Sequence, residues 1–312
     1  MIDAPGIYDI PMAAYLADPC MAPSLSGSGA KALLQESPLH CWHWHPRLGG
    51  AVSASTDAMD KGSIVHDLVF DEGGSEYVEI DAEDFRTKAA KEARDLARAA
   101  GKIPVLAAKM VELRDCAATI RRQIATIPDV ARAMAAGRAE RTMVWQEGST
   151  WCRARPDWLP DDPALPMLNL KTTGMSAAPE ARERDVQTGH AFSAAFYENG
   201  AEKLRGKRPA PTLFIIAEIE APYGMSVLSV APDLDAMARD DVAWAVREWG
   251  MLLATYGAEK RWPGYSLATH WIDAPAWMQM RREEARLRRS QAVDVGEQYQ
   301  RLMAAAGGGP IS

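Results

Sequence analysis

The sequence predicts an α/β or α+β fold, a mixed sheet flanked by helices with further helical segments before and after it. Three observations carry this. The stretch from Glu140 to Val230 runs β-β-β, then one long helical segment, then β-β. The flanking stretches are rich in Ala, Arg, Lys and Glu, with apolar residues at helical spacing. No internal repeat divides the chain, so a layered domain fits better than a solenoid.

Taken in order, residues 1–23 read as an irregular segment punctuated by Pro5, Pro11 and Pro23. Ser24 to Gly29 supply a cap for a short helix over Ala30–Leu34, closed by Pro38. Gly49 to Ser55 is a small-residue loop, and Ile64, Val65, Leu68 and Val69 mark a helix over residues 57–70. Residues 82–136 form a helical insertion, an arch or lid, interrupted at Gly101–Pro104 and near Pro128. Thr142–Gln146 reads as a strand, and Trp151–Leu159 as its hairpin partner across Glu147-Gly148-Ser149. Asp161 and Asp162 are turn residues, Pro166–Lys171 is a strand, and residues 178–205 are helical. Leu213–Ile219 and Met225–Val230 pair around Pro222-Tyr223-Gly224, residues 232–256 form a helix, and 275–306 form a second, charged one before a frayed glycine tail. The expected divisions are 1–23, a main domain over 24–265, and a C-terminal helix and tail over 266–312.

Composition narrows the function classes. The 312 residues are 47% hydrophobic and 25% charged, an ordinary globular mixture. With 42 acidic against 35 basic residues the net charge is −7, which argues against coating nucleic acid by bulk charge. No run approaches the ~18 apolar residues of a membrane span, and Met1–Pro5 lacks the features of a signal peptide. Cys20, Cys41, Cys116 and Cys152 are scattered, so buried thiols in a reducing cytoplasm are expected, with no zinc or iron–sulfur site. The run His40-Cys41-Trp42-His43-Trp44-His45 lacks a second ligand pair at zinc spacing, and its tryptophans read as packing.

The informative stretch is Glu140 to Lys171. Asp157 ends one strand, and Asn169 and Lys171 share a face of the next because the strand period is two. Arg153 and Arg155 alternate with Cys152 and Ala154 and so share a face with Asp157, placed for phosphate contact or, equally, for surface salt bridges. His66 alone would be a packed histidine, and Glu140 alone a surface charge.

Arg155-Pro156-Asp157 followed by Leu168-Asn169-Leu170-Lys171-Thr172-Thr173 resembles the PD-(D/E)XK nuclease signature. Within that superfamily the chain is most similar to the RecE-type (exonuclease VIII-like) exonucleases of phages and prophages. Ser24-Leu25-Ser26 with Ser37-Pro38 and Trp42, the Gly62–His66 segment, Glu140, and Gly189–Gly200 with Tyr197 agree in order. The resemblance covers about residues 24–260. It implies a restriction-endonuclease-like sheet and Mg²⁺- or Mn²⁺-assisted phosphodiester hydrolysis. Asp157 would be a metal ligand and Lys171 the catalytic lysine. Asn169, Glu140 and His66 would complete or support the site, with Thr172, Thr173 and Tyr197 near DNA. It further implies linear double-stranded DNA ends as substrate, 5′ to 3′ resection in phage-type recombination, a homo-oligomer and a RecT-type single-strand annealing partner.

Two positions depart from the pattern. Asn169 stands where a carboxylate is expected, and Ser193 where a glutamine precedes the tyrosine. A neutral amide leaves the site one negative charge short. Three explanations stand side by side: an inactivating substitution introduced for study, a naturally degenerate nuclease that binds without cutting, or a carboxylate moved to Glu180, Glu183 or Asp185. The arginine-rich run Arg281–Arg289 carries +3 and reads as a solvated helix face or a DNA-backbone contact.

Overall fold

The computed structural model describes residues 1–51, 56–70 and 77–305. Residues 52–55 of the expected small-residue loop and the glycine tail lie outside them. The chain forms two compact units, Met1–Gly264 and Tyr265–Ser312. No described helix is long and apolar enough to cross a membrane.

The segment expected to be irregular contains a strand, β1 (Gly6–Tyr8), and a short helix, α1 (Met12–Leu16). β1 is polar-poor and short, but it gains a ladder against β6 (Thr142–Glu147), a non-local partner that local patterning does not reveal. β2 (Leu25–Ser26) leads into α2 (Gly27–Gln35), whose N-terminus Ser26 caps by accepting the Gly29 N–H at 3.2 Å. Pro38 does not close that helix; it opens α3 (Pro38–Trp44) from the first-turn position where a missing N–H costs nothing. α4 (Asp57–Phe70) falls where the apolar spacing placed it.

The helical insertion contains α5 (Lys88–Ala99), α6 (Ala107–Ile124) and α7 (Pro128–Met134). Its Gly101–Pro104 interruption is β4 (Ile103–Leu106), paired in parallel with β3 (Tyr77–Ile80). The remaining elements of the first unit are β5 (Gly137–Ala139), β7 (Thr150–Ala154), β8 (Trp158–Pro160), β9 (Leu168–Thr173), α8 (Pro179–Asp185), α9 (Ala191–Arg205), β10 (Leu213–Glu218), β11 (Met225–Leu228) and α10 (Pro232–Tyr256). The second unit carries α11 (Ala276–Ala305).

Among the described residues the strands form a mixed five-stranded sheet, β11-β10-β9-β8-β5, a four-stranded sheet, β1-β6-β7-β2, and the β3-β4 pair. β9 and β10 are parallel, joined through α8 and α9. Leu168 and Leu170 of β9 pack with Ile64 and Val65 of α4 and Met110 and Leu113 of α6. Phe214 and Ile216 of β10 pack on the other side with Phe192 and Phe196 of α9. In register, Phe214 lies beside Asn169 and Ile216 beside Lys171, so these two polar residues face the α9 layer.

The expected Trp151–Leu159 hairpin arm is two strands, not one. β7 ends at Ala154, and Arg155-Pro156-Asp157 carries the chain from the four-stranded sheet into β8 of the five-stranded one. Pro156 has no N–H to extend the first ladder. Alongside, β5 passes to β6 through Glu140, which adopts φ 48° and donates its N–H to the Asp157 carbonyl at 3.0 Å. A left-handed non-glycine residue costs about 1–3 kcal/mol and is tolerated only where its surroundings fix it. Two neighbouring chain segments thus change sheets at one place, and that place holds the acidic residues.

Candidate functional site

Asp157 is the centre of the cluster. Its Oδ2 accepts the Leu170 N–H at 2.7 Å, lies 3.0 Å from His66 Nε2 and 3.7 Å from Lys171 Nζ. Burial pushes the Asp157 carboxyl up, but the Lys171 and His66 charges, with hydrogen bonds from His66 and the Leu170 N–H, outweigh it and hold it below the usual range. His66 reaches in from α4, whose Gly62 lets the helix sit close on β9. A Cβ there would lie 2.8 Å from Thr172 Oγ1. Burial lowers the His66 pKa, while the Asp157 and Glu140 carboxylates raise it further, so it ends above the ordinary value. The second His66 nitrogen, Nδ1, lies 3.7 Å from Glu140 Oε1. Glu140 Oε2 accepts from Arg155 at 2.8 Å. Asp157, Lys171, His66 and Glu140, separated by up to 105 positions in the chain (171 − 66), are therefore gathered in one place.

Tyr197 of α9 is close enough that the Asp157 charge adds to burial in raising its hydroxyl pKa. Thr173 Oγ1 accepts the Met175 N–H at 3.0 Å, which commits that oxygen to the turn after β9. Ser193 donates back to the Gly189 carbonyl at 3.1 Å. Arg155 donates to the Ile10 carbonyl at 2.7 Å as well as to Glu140, so it braces the site from behind.

Arg153 is a correction. It does not share a DNA-facing surface with Asp157 but is buried at 3% exposure, 3.3 Å from Asp18 Oδ1 and hydrogen-bonded to Ser24. The chain breaks strand geometry after Ala154, so the alternation that joined positions 153 and 157 ends there. The moved carboxylate is a second correction. Glu180, Glu183 and Asp185 are exposed on α8, and Asp185 pairs with Arg182 at 3.1 Å.

Asn169 is fully buried, and neither its Oδ1 nor its Nδ2 has a hydrogen-bond partner. Buried amides of native proteins are rarely left so. This donor set does not fit the divalent ion that the family resemblance implies. Among the described residues no three His, Cys, Asp or Glu side chains stand where they could hold one ion. Position 169 offers a neutral amide, Glu140 is committed to Arg155, and Asp157 is left as one carboxylate facing a lysine.

Residues 28–266 match the family described as a PDDEXK-like domain of unknown function. The chain belongs to that family. No protein of curated function matches it. Among solved structures it is similar to the crystal structure of a "Putative exonuclease" from Eubacterium rectale, with a TM-score of 0.51 and 12% identity over 88% of this chain and 98% of that one. At that identity the likeness shows the fold, which is restriction-endonuclease-like. Asp157, Asn169 and Lys171, the positions that resemble the nuclease signature in the sequence, are those that the two sheet changes and β9 bring together.

Sequence reasoning passed over Lys31 and His190. Lys31 is half-buried on α2, and burial followed by the Lys171 charge lowers its pKa. His190 ends the π-helical turn Val186–His190, and burial, then Lys171 and Lys31, push it down to about 4. A lone lysine on a helix and a histidine after a glycine carry no spacing signal, so only the packing of α2 against that turn reveals them. Gln35 of α2 donates to the Thr188 carbonyl at 2.6 Å across the same contact. The four cysteines are all buried and free, as expected, with Cys41 pushed up to about 12 and Cys116 to about 11 by burial.

Proposed function

We propose that this PDDEXK-like chain acts as an exodeoxyribonuclease on the ends of linear double-stranded DNA. In this reading it resects 5′ to 3′ in phage-type recombination, as a homo-oligomer beside a RecT-type single-strand annealing protein, and Asn169 weakens its hydrolytic step. The observation that supports a nuclease is the convergence of Asp157, Lys171, His66 and Glu140 where the chain passes between the two sheets beside β9. Lys171 is placed to meet the negative charge that develops on a phosphate under attack. His66 and the Leu170 N–H orient the Asp157 carboxylate, and Arg155 holds Glu140 beside His66.

End-labelled duplex DNA with Mg²⁺ or Mn²⁺ tests this. Slow release of nucleotides by the wild type, faster release by Asn169→Asp and none by Lys171→Ala is the expected pattern. Intact ends in both the wild type and Asn169→Asp would overturn it. The unpaired Asn169 amide favours a second reading, a nuclease-fold protein that holds DNA or a partner without cutting. In that case the ends stay intact while DNA binding persists.

A further inference from the structure

We propose that Lys31, His190 and the Asn169 side-chain amide form a phosphate-binding pocket next to Asp157 and Lys171, and that it holds the terminal phosphate of a DNA end. This rests on the reading of DNA ends as substrate and deepens it. Four observations meet at this place. Asn169 is fully buried with both polar side-chain atoms unpartnered, so its amide still has a donor and an acceptor to offer. It lies on the α9 face of β9 with Lys171, and in register beside Phe214. The His190 ring stacks on that same Phe214, with centroids 4.8 Å apart and planes 17° apart. Lys31 arrives from α2 against the turn just before His190, since a Cβ built on Gly189 would lie 3.3 Å from its Nζ.

The charges decide what this pocket takes. Lys31 forms no ion pair with any described residue. Among the described residues Lys171 pairs with one carboxylate, Asp157, whose nearer oxygen already faces His66 and the Leu170 N–H. Lys31 and Lys171 both act on His190 and outweigh the Asp185 carboxylate there, while Asp157 faces Lys171, so the local field stays positive and suits an anion. A carboxylate at position 169 would repel a phosphate oxygen, whereas an amide presents an N–H₂ donor to it. The residue that removes a metal ligand therefore supplies a phosphate contact. A π-helical turn at Val186–His190 is a local irregularity of the kind found at functional sites. A phosphate monoester, with three terminal oxygens and up to two charges, can use donors from β9, α2 and the π-turn together. An internal diester has only two such oxygens and one charge.

Anisotropy binding in EDTA, where no cleavage intervenes, reads the pocket directly. The probes are one duplex with a 5′-phosphate, a 3′-phosphate or plain hydroxyl ends, and a closed circular duplex as competitor. The wild type should bind one phosphorylated end about tenfold more tightly than hydroxyl ends, the size of one charge-assisted contact. Lys31→Ala, His190→Phe, which keeps the stack on Phe214, and Asn169→Leu should each erase the preference, and Lys31→Arg should keep part of it. Inorganic phosphate should raise the wild-type Tm and leave that of Lys31→Ala unchanged. Equal affinity of the wild type for phosphorylated and hydroxyl ends would overturn the pocket, as would an unchanged preference in Lys31→Ala and His190→Phe. In either case measured cleavage leaves the nuclease reading standing. No DNA binding at all, with the Lys31-dependent phosphate shift present, would overturn the DNA reading instead.

Discussion

Asn169→Asp puts a carboxylate into a fully buried position that has no hydrogen-bond partner. Burial disfavours the charged form, and Asp157, held beside β9 by the Leu170 N–H, adds a like charge. Lys171, two residues along on the same face, offsets part of this. In EDTA the variant should therefore be less stable than the wild type, by about 1–3 kcal/mol, because a buried carboxylate costs more to desolvate than the unpartnered amide it replaces. A divalent ion reverses the sign, because two neighbouring carboxylates now supply the hard oxygens that it needs. An ion present at about a hundred times its Kd adds about 2.7 kcal/mol. At about 2–4 °C per kcal/mol for a folded unit of this size, Tm should rise by about 5–11 °C. Thermal unfolding in Mg²⁺, in Mn²⁺ and in EDTA measures this, and the wild type should move by no more than about 1 °C under the same linkage. An equal rise in both proteins would refute the reasoning, because the missing charge would not then be what limits ion binding. Absence of any rise in the variant would refute it too.

His66 should give stability a pH dependence. Its pKa is raised on folding, so its contribution is complete below its unfolded value of about 6.5 and is lost as pH rises through the folded one. The Asp157 pKa is lowered, so its share is present above about pH 4 and is lost as pH falls through the folded value. Urea titrations of wild type and His66→Gln should differ most at about pH 5–6.5 and converge at higher pH; a difference that widens with pH counts against the pairing. Gly200→Ala should destabilise the first unit. Its Cβ would lie 2.7 Å from the Trp145 ring, which is 1% exposed and closely packed. Overpacking costs about 1–3 kcal/mol and exceeds the roughly 1 kcal/mol that alanine gains in a helix. A variant with a higher urea midpoint would show that Trp145 yields freely.

The site was more legible than the scaffold that carries it. Asp157, Asn169 and Lys171 lie within fifteen positions of one another, and a two-residue strand period suffices to put Asn169 and Lys171 on one face. His66 and Glu140 came from the family's segment order, since nothing local distinguishes them from a packed histidine and a surface charge. The sheet change at Pro156 was missed because apolar patterning runs on through Trp158 and Leu159, and only pairing partners show that β7 and β8 belong to different sheets. The same blindness misplaced Arg153. Alternation gives a face but not what lies opposite it, and here Asp18 lies opposite.

That partnership also ties the core to the site. Asp18 is fully buried at φ 61°, 3.4 Å from His45 and 3.3 Å from Arg153, and accepts both the Ser24 N–H at 2.9 Å and the Ser24 hydroxyl at 2.6 Å. Burial raises its pKa, but His45, Arg153 and Ser24 together bring it below the usual range. Arg153 and Arg155 both lie over the Tyr15 ring, at 5.6 and 5.9 Å, and Arg155 holds Glu140. Asp18→Asn keeps the shape and removes the charge, leaving a guanidinium that is 4% exposed without a carboxylate. Breaking one side of such a pair costs about 3–5 kcal/mol, a fall in Tm of about 6–20 °C. DNA-end affinity, measured well below that Tm, should stay within about twofold, because Glu140 and Tyr15 still hold Arg155 in place. A loss under about 1 kcal/mol would mean that Asp18 contributes as a neutral hydrogen-bonding group. A large loss of DNA affinity in the folded variant would mean instead that the buried pair sets the position of Arg155, and through it that of Glu140.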